Sequence, residues 1–290
     1  MTDASGELPV PAALTDAIRR WQAQGGAAQP PIRWSRAAWR RYFPGQRDFL
    51  DALPERVDRA EVTSQAAHAT TPEGAERAFL AAMIWGYGRV GYGPWRTARV
   101  LTENPAAAER LAEAAVVARD HGGLAAFRAL ADKPLRYLGV AFGTKYLRFV
   151  TAKLSADRVG APILDAVVGR WFATHTGLRL MIDEWRPAVY ERYVGLLESW
   201  SARLDLAADT VEELIFRSAA SREGSGQWSE PWAGSDEPVR KARAALLELE
   251  RLFDTADAGA AREARPHLDE LGRIIQQGWT PGSAPPDGLG

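Results

Sequence analysis

Lys145 in FGTKYLRFV and Asp165 in APILDAVVGRWF stand 20 positions apart, a cation and a carboxylate each set near an expected helix start. A lysine beside a turn that leaves backbone N–H groups unpaired suits a phosphate. A carboxylate fixed beside a partly apolar pocket stabilises a sugar cation or orients a nucleophile, because a glycosidic bond breaks through an oxocarbenium-like transition state. Each residue also has a plainer reading. Asp165 opens a helical run just after Pro162, where an aspartate caps orphan N–H groups for about 1 kcal/mol. Lys145 sits where a helix is expected to begin, near Thr144. It is then either held there against the helix dipole by some partner or is a solvated lysine beside a connection.

The elements that must position the pair are helices. Apolar residues recur at three- and four-residue steps in 11–24, 72–88, 105–122, 184–204 and 209–221, and no alternating strand is evident, so the chain is expected to be all-α. Pro72, Pro94 and Pro105 suit first helical turns, while Gly122, Gly123 and Gly177 follow helical runs. Between 138 and 145 the spacing predicts a turn at Ala141 to Gly143 that feeds a helix, leaving unpaired N–H groups that favour a phosphate. Residues 133–158 carry Lys133, Arg136, Lys145, Arg148, Lys153 and Arg158 against Asp157 alone, which fits a nearby nucleic-acid backbone.

Composition excludes several classes of chemistry. The 290 residues include no cysteine, which removes disulfides, thiolate nucleophiles, cysteine-held zinc and iron–sulfur clusters. The four histidines, His68, His121, His175 and His267, show no metal-ligand spacing, so neither a metal nor a cofactor is expected. No secretory signal or membrane span is evident, and a cytoplasmic monomer is expected. The net charge of −1 hides an asymmetry: residues 1–200 carry 26 basic against 21 acidic side chains, and the remainder 10 against 16. A basic body of this kind can present a phosphate-binding face. The pattern divides the chain into an N-terminal helical segment (1–71) packing on a core (72–221), a linker (222–238), a polar helical hairpin (239–278) and a tail (279–290).

Taken together, the turn and the aspartate resemble the helix-hairpin-helix DNA glycosylases, the superfamily that includes endonuclease III and the 8-oxoguanine DNA glycosylases. That pattern runs L-x-G-[VI]-G-x-K-x-A, then about twenty residues, then P-x-D or V-D opening a helix with an arginine five positions on. Here VAFGTKYL supplies Gly143, Thr144 and Lys145, PILD supplies Asp165, and Arg170 falls at the same step. The G-T-K triplet is similar to the 8-oxoguanine branch. AAMIWGYGRVGYGPWRTARVL and YERYVGLLESWSARL look like bacterial proteins with the 8-oxoguanine glycosylase fold, some of them linked to phage defence. The chain departs from the pattern at Ala141, where a hairpin glycine stands, and at Val167, where many members carry histidine.

The resemblance implies a two-lobed helix-hairpin-helix fold that excises a damaged or modified base from double-stranded DNA, either an oxidised purine or a phage-type modified base. Backbone groups of Ala141, Phe142, Gly143 and Thr144 would hold a phosphate, Arg148 and Arg170 would contact DNA, and Asp165 would stabilise the developing charge. Lys145 would be the attacking amine of a bifunctional glycosylase and lyase; otherwise Asp165 would direct water. In WGYGRVGYGPW, Trp85, Tyr87, Tyr92 and Trp95 either line a pocket for an extruded base or form core. The stretch 31–49 interleaves Arg33, Arg36, Arg40, Arg41 and Arg47 with Trp34, Trp39, Tyr42 and Phe43, and either contacts DNA or turns its rings inward. A helix-hairpin-helix protein that recognises distorted DNA without cleaving it is the alternative, and a helical interaction protein with no DNA role is the third.

Overall fold

In a computed structural model, residues 8–154, 159–220, 245–246, 248–253 and 258–276 are described. The chain forms two compact units, Met1–Trp228 and Ser229–Gly290. In the first, helices α1 (Ala12–Ala23), α2 (Arg36–Tyr42), α3 (Arg47–Ala52) and α4 (Arg59–Gln65) precede α5 (Pro72–Tyr87) and α6 (Gly93–Thr102). There follow α7 (Ala107–His121), α8 (Gly123–Asp132), α9 (Val140–Val150), α10 (Ala166–Thr176), α11 (Pro187–Leu204) and α12 (Ala208–Ala220). The all-α expectation holds, with one small addition. Ile32–Arg33 and Arg56–Val57 pair antiparallel, which ties the segment before α2 to the one before α4.

Helix α5 is the axle of this unit. Every residue from Phe79 to Trp85 is buried, so the helix is apolar all round rather than on one stripe, as a central helix must be. Thr71 caps it by accepting from the Gly74 amide, and Pro72 occupies its first turn. Helices α4, α6, α7 and α9 pack on α5, and α8 packs on α7 and α9; α1, α10 and α11 gather around α12. Lys145 belongs to the first group and Asp165 to the second. Helix α8 was not evident in the sequence. It starts at Gly123, where a side chain would collide with the Gly160 carbonyl, so the glycine pair 122–123 joins two helices instead of ending one.

In the second unit, Ala258–Gln276 is a helix, and residues 245–246 and 248–253 are helical. Leu246 and Leu268 are buried, and Gly272 lies against the Leu246 side chain. Most of the expected first arm of that hairpin, along with the linker and tail, lies outside the described residues. No helix among the described residues is long and apolar enough to cross a membrane.

Candidate active site

Helix α9 begins at Val140, four residues before the expected start, because Gly139 in extended conformation serves as its N-cap. The turn therefore lies upstream, where Tyr137 adopts a left-handed φ of 68°. That conformation is uncommon for a residue with a side chain. It is held by Arg99, whose guanidinium lies 3.8 Å from the Tyr137 ring centroid and donates to the phenol oxygen. Asn104 clamps the same loop, donating to the Arg136 carbonyl and accepting from the Arg136 amide.

The early start corrects the phosphate assignment. The Gly143 amide donates to the Gly139 carbonyl at 2.9 Å, the first bond of the helix, and Thr144 is wholly buried. Neither backbone N–H is open to a phosphate. The first-turn amides belong to Val140, Ala141 and Phe142, and no side chain caps them. Gly143 has another use: a methyl group there would fall 2.2 Å from the Trp185 ring, whose N–H donates to the Leu138 carbonyl. Thr144 also has another use, since its hydroxyl donates to the Val140 carbonyl and accepts from the Leu164 amide.

One turn into α9, Lys145 meets Asp165. Its Nζ donates to Asp165 Oδ2 at 2.7 Å, and the two side chains are 9% and 11% exposed. The other carboxylate oxygen accepts from the amides of Val167 (3.0 Å) and Val168 (3.2 Å), so Asp165 is the N-cap of α10 as well as the partner of the lysine. The cap reading therefore holds, and the same carboxylate also faces the lysine. Burial pushes the Asp165 carboxyl up, but the Lys145 charge and hydrogen bond and the two amides outweigh it and hold the group below the ordinary carboxylate range.

Asp165 is aimed by a buried loop. Ala161, Ile163 and Leu164 are at most 1% exposed, so their backbone groups need protein partners. Thr151 accepts from the Ala161 amide, Tyr190 donates to the Pro162 carbonyl at 2.8 Å, and Tyr193 donates to the Ile163 carbonyl at 2.6 Å. With Thr144 on the Leu164 amide, every residue from Ala161 to Leu164 is tied to α9 or α11. Of these side chains, Thr151, Tyr190 and Tyr193 were not singled out in the sequence. The available signal was a threonine, two tyrosines and a Pro-Ile-Leu loop with no neighbours in sequence to satisfy it.

The aliphatic stem of Lys145 lies on α5 at Gly86. A methyl group there would sit 2.9 Å from Lys145 Cδ and 3.1 Å from Phe142 Cε1, so this glycine also belongs to the site. The Phe142 ring is 5.2 Å from Lys145 Nζ and stacks on Tyr87 at 4.1 Å and 19°. Tyr92 meets Tyr87 edge-on at 5.8 Å. Of the four aromatic candidates, Tyr87 thus backs the ring that meets the lysine, and Tyr92 packs on Tyr87. Trp85 and Trp95 are core residues. Trp85 is buried between Phe149 and the Arg59 guanidinium, and Trp95 is buried beneath Arg99.

Arg148 also requires correction. It points inward, 2.9 Å from Asp209, and its Nε and Nη1 are buried without a partner among the described residues. It joins an enclosed charge cluster in which Arg59 pairs with Glu212 at 3.1 Å and with Glu213 at 3.6 Å. Burial lowers the Arg148 pKa against the opposing pull of Asp209, and burial raises that of Glu212 against Arg59 and Arg148. The Arg148 charge is directed to Asp209 rather than to solvent. Arg170 is half-buried on α10. In the 31–49 stretch the rings turn inward: Trp34, Trp39 and Phe43 are buried, whereas Arg33, Arg40, Arg41 and Arg47 are exposed. Among the described residues no group of three or more acidic or histidine side chains is arranged to hold a metal.

The family described as "Putative 8-oxoguanine DNA glycosylase OGG-like protein" matches residues 25–216, and the chain belongs to it. That span takes in α5, the hairpin, Lys145 and Asp165. No curated protein and no solved structure matches the chain.

Proposed function

We propose that this member of the OGG-like family cleaves the N-glycosidic bond of a modified base in duplex DNA, with Lys145 as the attacking amine and Asp165 as the carboxylate that steadies the sugar cation. The observation that carries the reading is the 2.7 Å contact between an amine and a carboxylate delivered by different helices into one buried spot. A buried ion pair is a poor device for stability, since desolvation offsets most of its attraction. Its upkeep by Thr144, Tyr190, Tyr193 and the amides of α10 is better accounted for by a chemical task.

In the proposed reaction Nζ gives up one proton to solvent, which returns it to the departing base, and the nitrogen lone pair attacks C1′. The C1′–N bond breaks, its electrons depart with the base, and the base takes up a proton. Transfer of a second proton from Nζ to O4′, as the C1′–O4′ bond opens with its electrons on oxygen, yields a C=N linkage, the starting point for strand cleavage by elimination. Asp165 stays anionic as positive charge grows on the sugar, a state favoured by the two α10 amides that donate to its other oxygen. The uncapped amides of Val140, Ala141 and Phe142 are the groups that would take the neighbouring phosphate.

The substrate class favoured is an oxidised purine, with phage-type modified bases as the second class to try. Duplexes carrying each modified base are incubated with the protein and released base is measured. The reading expects release from at least one duplex, loss of release in Asp165→Asn, and retained binding by that variant. Binding without release from any duplex would favour a protein that only recognises distorted DNA.

A further inference from the structure

Lys145 is too enclosed to meet a sugar as it stands. Only 7% of the residue is exposed, and besides Asp165 and the Ala141 carbonyl its amine faces the ring of Phe142. That ring belongs to the first turn of α9, is itself half-buried, and has Tyr87 stacked on it. Tyr87 is well fixed. It is 7% exposed, Tyr92 packs on it edge-on, and a methyl group on Gly93 would sit 2.6 Å from its ring, so the backbone presses directly against it. Both rings lie at helix ends, Tyr87 closing α5 and Phe142 opening α9. Phe142 is the less buried of the two and stands three residues from exposed Gly139, and so is the one with room to move.

We propose that Phe142 is a positioning residue that works as an aromatic gate: stacked on Tyr87 it screens the Lys145 amine from solvent, and it yields when a flat nucleobase offers its own face for stacking. The inference rests on Lys145 being the attacking amine. Its physical content is an exchange. The ring gives up one aromatic partner and an extruded base supplies another, so opening costs little in the presence of substrate and is unfavourable in its absence. The gate keeps water and stray electrophiles from a nucleophile that would otherwise stand open. It also assigns Phe142 a side-chain role in place of a purely backbone one.

The screen can be read without any glycosylase activity. The full-length protein is treated with formaldehyde and a mild reductant, and methylation of each lysine is followed by peptide mass spectrometry. Lys133 and Lys153 are exposed and serve as internal references. Lys145 should react much more slowly than either in the wild type. Phe142→Ala should speed its modification about tenfold, the scale of one lost aromatic stack, with Lys133 and Lys153 unchanged. Phe142→Tyr keeps the ring and should keep the protection. Phe142→Leu keeps apolar bulk without the stack; it should also speed labelling and decides the matter if the alanine variant folds poorly. Equal rates for Lys145 and the exposed lysines in the wild type, or unchanged protection in both Phe142→Ala and Phe142→Leu, overturn the proposal. Borohydride trapping of the same proteins on a duplex with an abasic site is run in parallel. Failure to trap any variant counts against Lys145 as the attacking amine and leaves the labelling result to judge the gate by itself.

Discussion

Lys145 and Asp165 neutralise each other in a place neither would occupy alone. Removing one partner strands a buried charge, which costs roughly 3–5 kcal/mol, whereas removing both costs much less. Lys145→Gln is therefore expected to lower stability to urea at neutral pH, and the double variant Lys145→Gln/Asp165→Asn to recover most of the loss. Equal instability of single and double variants would mean that the pair is not coupled. The pH dependence has a definite sign. The folded-state value of Asp165 is depressed, so its contribution is complete above the ordinary carboxylate pKa and is lost as pH falls through the folded value. The stability gap between wild type and Asp165→Asn should hold near neutrality and narrow below about pH 4. Gly86 offers a sharper test of placement. Alanine is the better helix former by about 1 kcal/mol, yet in Gly86→Ala the new methyl would push on the Lys145 stem. Base release should fall by about tenfold, the effect of a small misplacement, while thermal stability changes little.

At the scale of elements, the sequence made the helices and their punctuation readable, but not what faces what. The apolar periods of α1, α5, α7, α11 and α12 were plain, as were Asp165 at the head of α10 and Gly177 after it. The start of α9 was misplaced, because a Gly-Thr pair reads as a turn and nothing local reveals that Gly143 is needed to admit Trp185. Arg148 looked like one more basic residue in a basic run. Its partner Asp209 comes from α12, and only the packing of α9 near α12 turns it inward. Trp85 was ambiguous for a similar reason: an aromatic at the end of an apolar helix is equally suited to core and pocket, and Phe149 decides. The supports of the aspartate loop lead to a prediction at this scale. Tyr193→Phe leaves the Ile163 carbonyl buried without its donor, a loss of about 1–3 kcal/mol, and base release should fall with it. A Tyr193→Phe protein destabilised but equally active per folded molecule would show that the loop needs no such support.

For the whole molecule, the core cluster runs from Leu14 to Ile215 and lies within the first compact unit, and the family match ends at 216. A chain of residues 1–228 should therefore unfold cooperatively at close to the full-length midpoint, as followed by circular dichroism; a broad or strongly lowered transition would contradict this. The net charge of −1 said little about partners, whereas the basic excess in residues 1–200 and the outward arginines of the 31–49 stretch predict salt-sensitive binding to duplex DNA. The substrate itself was the least legible feature, since a base is recognised by the shape of a pocket, and shape depends on how rings distant in sequence, such as Tyr87 and Phe142, come together. The most direct test of the account is borohydride treatment of the protein during reaction with a duplex from which it releases base, followed by mapping of the adduct. The account predicts a covalent complex at Lys145 that disappears in Lys145→Gln. Base release with no adduct, or an adduct that survives that substitution, would contradict it.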